Sequence, residues 1–166
     1  TTDQGGLSYD KALVINVSDV NEVPTSLVLS NNVTPENVVA GSVIGTFTST
    51  DPDANNTFTY SLVTGTGATD NTSFSIVGNQ LKVNTSPDFE AKSSYSILVR
   101  TTDQGGLSVD QAMTIAITNQ NEAPTAINLS TASIGENTPI GTAIGTLSAT
   151  DPDANDTQQY SLVSGT

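Results

Sequence analysis

A repeat of one hundred residues constrains this chain more than any other feature. Aligned without a gap, residues 1–66 and 101–166 agree at 36 of 66 positions. Both windows open on TTDQGGLS, pass a joint reading NEVPT or NEAPT, and reach TDPDAN shortly before YSLV. Self-similarity at a fixed period marks an array of like units. The expected division is therefore 1–22 as the end of one repeat with its linker, 23–122 as one complete repeat, and 123–166 as the start of the next. Both flanking pieces lack the counterpart of 67–100. A strand or hairpin alone is marginal in water, so the natural chain is expected to continue at both ends.

Within the complete repeat, short alternating segments lie between turn signals, the pattern of an all-β sandwich. Strands are expected near 26–31, 42–50, 57–64, 73–77, 81–84, 94–102 and 107–118, with one strand in the first twenty residues and three after 123. Phe58, Tyr60 and Leu62 alternate with small polar residues, as do Tyr95, Ile97 and Val99, and then Met113, Ile115 and Ile117. Those faces should meet in one core. Seven strands in about 100 residues fit an immunoglobulin-like sandwich.

Charge narrows the function. Seventeen acids against four bases, with no histidine, give a formal charge of −13. Lys11, Lys82, Lys92 and Arg100 do not make a basic patch for nucleic acid or for an anionic membrane. The absence of cysteine excludes disulfides and thiolate metal sites. Hard carboxylate oxygens suit a cation such as calcium.

The acids are also clustered. Thirteen of the seventeen fall in short motifs, leaving only Asp10, Asp70, Asp110 and Asp156 outside. In TDPDAN, proline pushes Asp51 towards extended backbone, and side chains two apart on extended chain point the same way. Asp51 and Asp53 therefore aim at one point, and Asp151 and Asp153 repeat the arrangement. An EF-hand loop fails, because the sixth position is Asn56 or Asp156 rather than Gly and the twelfth is Leu62 or Leu162 rather than Glu. A glycosidase pair lacks the aromatic sugar cleft that such carboxylates serve, which argues against an enzyme. A solvated turn explains one such loop but not the clustering of the rest.

Taken together, these motifs resemble cadherin repeats, specifically the tandem cadherin-like repeats of large bacterial surface proteins. The resemblance spans the whole chain. The P-E-N motif is similar to Pro35, Glu36 and Asn37, and D-x-D to Asp51 and Asp53. L-D-x-E is similar to PDFE with Asp88 and Glu90, and the late aspartate to Asp103. The D-x-N-D-N-x-P linker is similar to DVNEVP, with Asp19, Asn21 and Glu22, and to NQNEAP, with Asn119, Asn121 and Glu122.

The resemblance implies an extracellular, surface-located chain with Ca2+ at each joint. At the first joint Asp19, Asn21 and Glu22 would meet Asp51, Asp53 and Asp103. At the second, Glu36, Asp88 and Glu90 would meet Asn119, Asn121 and Glu122 from the linker and Asp151 and Asp153 from the next repeat. Asp3 would serve the preceding joint and Glu136 the following one. Asn55 and Asn155, within the two DPDAN runs, complete the candidate metal set. Departures from the family pattern, such as Val23, Ala123, Pro87, Gly135 and neutral Asn119, predict weaker or fewer ions at the second joint than at the first. The implied role is a calcium-stiffened rod of structural or adhesive repeats in a large surface protein or filament. Its partners would be adjacent repeats, further copies of itself or another surface protein. The alternatives are repeats that themselves bind a partner cell, and a calcium-independent immunoglobulin-like spacer.

Overall fold

The computed structural model describes residues 1–164 of the chain. Residues 26–118 build a sandwich of two four-stranded sheets. One sheet has the order β1 (Ser26–Leu29), β3 (Val43–Thr50), β6 (Gln80–Val83), β5 (Phe74–Val77), with every pair antiparallel. The other runs β2 (Val33–Pro35), β8 (Ser108–Thr118), β7 (Ser94–Thr102), β4 (Thr59–Leu62). Here β2 lies parallel to β8, while the other pairs are antiparallel. A 3₁₀ turn, Asn71–Ser73, leads into β5.

The core follows from the alternation. Leu27, Ile44, Phe47, Phe74, Leu81 and Val83 come from the first sheet and meet Ile97, Val99 and Ile115 from the second. Burying side chains of this size is worth about 1.5–3 kcal/mol each before the cost of ordering them. Two aromatic pairs tie the sheets together. Phe47 stacks on Tyr60 at 5.4 Å, and Phe74 meets Tyr95 edge-on at 5.5 Å. Near the end that carries Asp51, Ser49 Oγ donates to the buried Thr101 hydroxyl across the sandwich at 2.9 Å.

The all-β sandwich and all seven expected segments appear, with ends shifted by up to a few residues. One strand was not expected. Three-residue β2 holds a proline and pairs only along one edge of β8, where proline is tolerated.

The flanking pieces differ from expectation. Residues 9–25 form no strand, and only a Thr2–Ser8 bridge precedes them. Leu13, Ile15 and Val17 are 79%, 89% and 93% exposed, although of their copies Met113 is half-buried and Ile115 and Ile117 are buried. The pattern is a strand's, but nothing here pairs with it, and an unpaired strand is not stable. After residue 123 the described residues contain two strands rather than three. They are β9 (Ala126–Leu129) and β10 (Leu147–Thr150), paired Leu129 to Leu147 just as Leu29 pairs with Phe47.

Candidate metal centre

Two ends of the complete repeat carry the acids. At one end lie the loop after β3, with Asp51 and Asp53, and the loop between β7 and β8, with Asp103. The linker reaches both. Asn21 Nδ2 donates to Asp103 Oδ2 at 2.9 Å, and the Glu22 amide to Asp53 Oδ2 at 2.9 Å. Gly105 permits this approach, since a Cβ there would lie 2.1 Å from Asn21 Oδ1. Carboxylate oxygens of Asp19, Glu22 and Asp53 lie within 4.8 Å of one another. Asp103 is 6% exposed, and its Oδ1 accepts the Leu107 amide at 2.9 Å. Burial alone would raise its pKa, but the hydrogen bonds from Asn21 and from the Leu107, Gly106 and Gly105 amides hold it below the usual value. Neighbouring Asp53 raises Glu22 instead, with Asp19 and Asp51 adding to the repulsion.

At the opposite end, Glu36 is 2% exposed and is gripped by two backbone amides. Its Oε2 accepts Phe89 N at 2.8 Å and its Oε1 accepts Gln120 N at 2.7 Å. Left-handed Asn37 (φ 60°) turns the chain and donates from Nδ2 to Glu122 Oε1 at 2.9 Å. Asp88 Oδ1 accepts Ala91 N at 2.9 Å. Glu36, Asp88 and Glu90 form one group within 4.8 Å, and Glu90, Glu122 and Asp153 form a second. Glu90 belongs to both, so the two groups are neighbours. Burial raises the Glu90 pKa, and repulsion from Glu36, Glu122 and Asp153 adds to it.

The linker crosses to the next repeat as the first one does. The Glu122 amide donates to Asp153 Oδ2 at 2.6 Å, and Asn119 Nδ2 spans Asp153 Oδ1 at 2.8 Å and Glu90 Oε1 at 3.0 Å. Asn121 Nδ2 reaches only the Glu122 carbonyl, at 3.1 Å.

Asp3 repeats the Asp103 turn in the open, accepting Leu7 N at 2.8 Å. Glu136 is exposed and joins no acidic group among the described residues. Asn55 and Asn155 are exposed left-handed residues, with φ of 62° and 71°. Their geometry makes them turn formers, and in the second copy the following residue is carried back towards the aspartates. Asp156, outside the expected set, joins Asp151 and Asp153 within 4.8 Å. The spacing D-x-D-x-x-D in DPDAND was its visible signal.

The donor set suits a hard divalent cation. Buried Asp51 Oδ2 and Asp53 Oδ1 have no hydrogen-bond partner. An ionised carboxylate only accepts, so a buried unpaired oxygen is costly unless a cation or donor meets it. Calcium takes six to eight oxygens from carboxylates, amide and backbone oxygens, and waters, the ligand types gathered here.

With the sandwich and its linker-bridged acidic ends in place, the comparisons with known proteins are decisive. A family model described as Cadherin domain matches residues 31–118. The chain belongs to the cadherin domain family. Protocadherin Fat 2 of Rattus norvegicus is 36% identical over 163 residues, covering 89% of this chain and 4% of that protein. The chain thus spans only a small part of the relatives it matches. The solved extracellular domain of protocadherin GammaB4 is 26% identical with a TM-score of 0.54, covering 83% of this chain and 23% of its own. The human desmocollin-1 ectodomain, 24% identical with a TM-score of 0.57, covers 94% of this chain and 32% of its own, and shares the fold. Cadherin repeats are extracellular adhesive and structural units, in keeping with the expected location. No helix among the described residues is long and apolar enough to cross a membrane.

Proposed function

We propose that this segment is a calcium-stiffened strut of tandem cadherin repeats, divided as 1–22, 23–122 and 123–166, in a large surface protein or filament. The observation that carries this reading is the pair of acidic groups at the second joint, which share Glu90 and draw on the upper repeat, the linker and the lower repeat. The expected ligand set named above would hold the ions, with Asp156 added. Calcium supplies the positive charge that lets these carboxylates stay close. Glu36 fixes the linker's start through Gln120 N, and Asp153 fixes its end through Glu122 N. With the charge neutralised those contacts hold the joint straight; without it the carboxylates repel and the joint bends. Affinity belongs to the ~10⁻⁴–10⁻³ M class of extracellular modules. The second joint is the weaker, because the Gln158 and Asn119 side chains already cap Asp151 Oδ2 and Asp153 Oδ1, whose counterparts at the first joint are unpartnered. The bacterial setting rests on the sequence resemblance alone, and the role needs no enzymatic step.

Scattering in calcium and in chelator tests the reading. A longer particle in calcium is expected, and an unchanged length would sink it. A directly adhesive surface is the second reading, favoured by the adhesive character of the family. Aggregation of beads coated with the repeats, absent with uncoated beads, would establish it.

A further inference from the structure

We propose that position 56, and its copy 156, is a calcium-contacting position outside the family-like motifs, and that a carboxylate is exchanged between it and the first linker position. The inference rests on the calcium reading above. At the first joint the pair is Asp19 with Asn56, and at the second it is Asn119 with Asp156. Each joint therefore keeps one carboxylate and one amide across the two positions, but in opposite order.

Geometry supports contact in the second copy. Left-handed Asn155 reverses the loop, the Asp156 amide approaches the Asp153 carbonyl at 3.5 Å, and an Asp156 oxygen lies within 4.8 Å of Asp151 and Asp153. Three carboxylates so close repel one another unless positive charge sits among them.

The first copy supplies an independent observation. Both polar side-chain atoms of Asn56 are buried with no hydrogen-bond partner, in the same loop as the unpaired oxygens of Asp51 and Asp53. A buried amide without a partner is costly, and its oxygen is a ligand of the kind that calcium accepts. The neutral linker residue Asn119 meanwhile contacts Asp153 and Glu90 where Asp19 joins the acidic group at the first joint. Asp156 returns the negative charge that this substitution removes.

The test is a calcium titration of the full chain followed by NMR. The Glu22 amide reports the first joint and the Glu122 amide the second. Asp156→Asn should weaken binding at Glu122 about tenfold, as expected for the loss of one charged ligand. It should leave Glu22 unmoved. Asp10→Asn removes the same charge from an exposed residue outside every acidic group and should do neither. Asn119→Asp combined with Asp156→Asn should restore the affinity at Glu122. If Asp156→Asn matches wild type or Asp10→Asn while wild type binds calcium, the proposal falls and the calcium reading stands. Failure of the double variant to recover overturns the exchange. If wild type takes up no calcium, both fall.

Discussion

The same sequence appears twice in this chain and behaves differently in its two settings. In the first DPDAN loop, Asp51 Oδ2 and Asp53 Oδ1 are buried and unpaired. In the second, Gln158 Nε2 caps Asp151 Oδ2 at 3.0 Å and Asn119 Nδ2 caps Asp153 Oδ1 at 2.8 Å. Phe58 and Asp19 occupy the equivalent positions in the first copy and bring no amide. The shared part of each joint is the aspartate pair and the linker amide that docks on it. What varies is whether neighbouring side chains hold the lone pairs or leave them open to a cation. The strand copies teach the same lesson through packing. Residues 108–118 are a strand between β2 and β7, whereas 10–18 lack both partners and lie exposed.

The packing contrast should give the largest measurable difference. Ile115 is 0% exposed and Ile15 is 89% exposed. Ile115→Ala should cost the complete repeat about 2–5 kcal/mol in denaturant unfolding. Ile15→Ala should stay within about 0.5 kcal/mol. Similar losses would mean that the tail packs on something in solution and that the two copies are equivalent after all.

At the joints the contrast can be sharpened in chelator by hydrogen exchange. Asp153→Ala leaves the Glu122 amide without its acceptor and Asn119 Nδ2 with Glu90 Oε1 alone. Exchange at Glu122 should become easier by about 2 kcal/mol, the scale of hydrogen bonds to a charged group. Asp53→Ala also frees the Glu22 amide, but it removes an unpaired buried oxygen at the same time. The effect at Glu22 should therefore be smaller, about 1 kcal/mol or less. Equal effects would show that the amide caps on the second loop contribute nothing.

A third contrast sets Gly105 against Gly5. A Cβ at Gly105 would lie 2.1 Å from Asn21 Oδ1, whereas at Gly5 the nearest atom is Asp3 Oδ1 at 3.5 Å. Gly105→Ala should displace Asn21 and break its bond to Asp103, costing on the order of 1 kcal/mol because a side chain can move aside. Gly5→Ala should be silent. The Asn21 side-chain amide resonance in the two variants would read this directly.

Period and alternation made much of the fold legible in the sequence. Alternating runs such as Tyr95, Ile97 and Val99 named the inward faces, and the core is built from them. Strand β2 escaped because three residues ending in proline carry no period, and its pairing depends on an edge that only the folded β8 provides. The tail strand was expected and is missing for the complementary reason: period shows what a segment can do, while pairing needs a partner. Among acids, motif spacing led to every member of the acidic groups except Asp156. In the sequence it stood beyond D-x-D, and only the left-handed turn at Asn155 brings it back. The caps from Gln158 and Asn119 were illegible, since amide orientation depends on which neighbours arrive across the joint.

The smallest contrast is between Asp110 and Asp10, and it is one of pH. Arg100 bonds Asp110 through both oxygens, at 2.6 and 2.8 Å, while Asp10 makes no salt bridge among the described residues. That hydrogen-bonded guanidinium holds the Asp110 pKa below its usual 3.8. The folded state then binds the proton less readily than the unfolded chain, so stability from this group is present above pH 3.8 and lost as pH falls through the lower folded value. Asp110→Asn should remove that share of the acid destabilisation in thermal unfolding, with Asp10→Asn as the control outside any salt bridge. Both partners of the ion pair are partly open to solvent, so the change should be slight and should shrink further in high salt. An acid slope that stays the same in Asp110→Asn would place the acid response of the repeat at Asp70 and Asp103, the other aspartates held below their usual values.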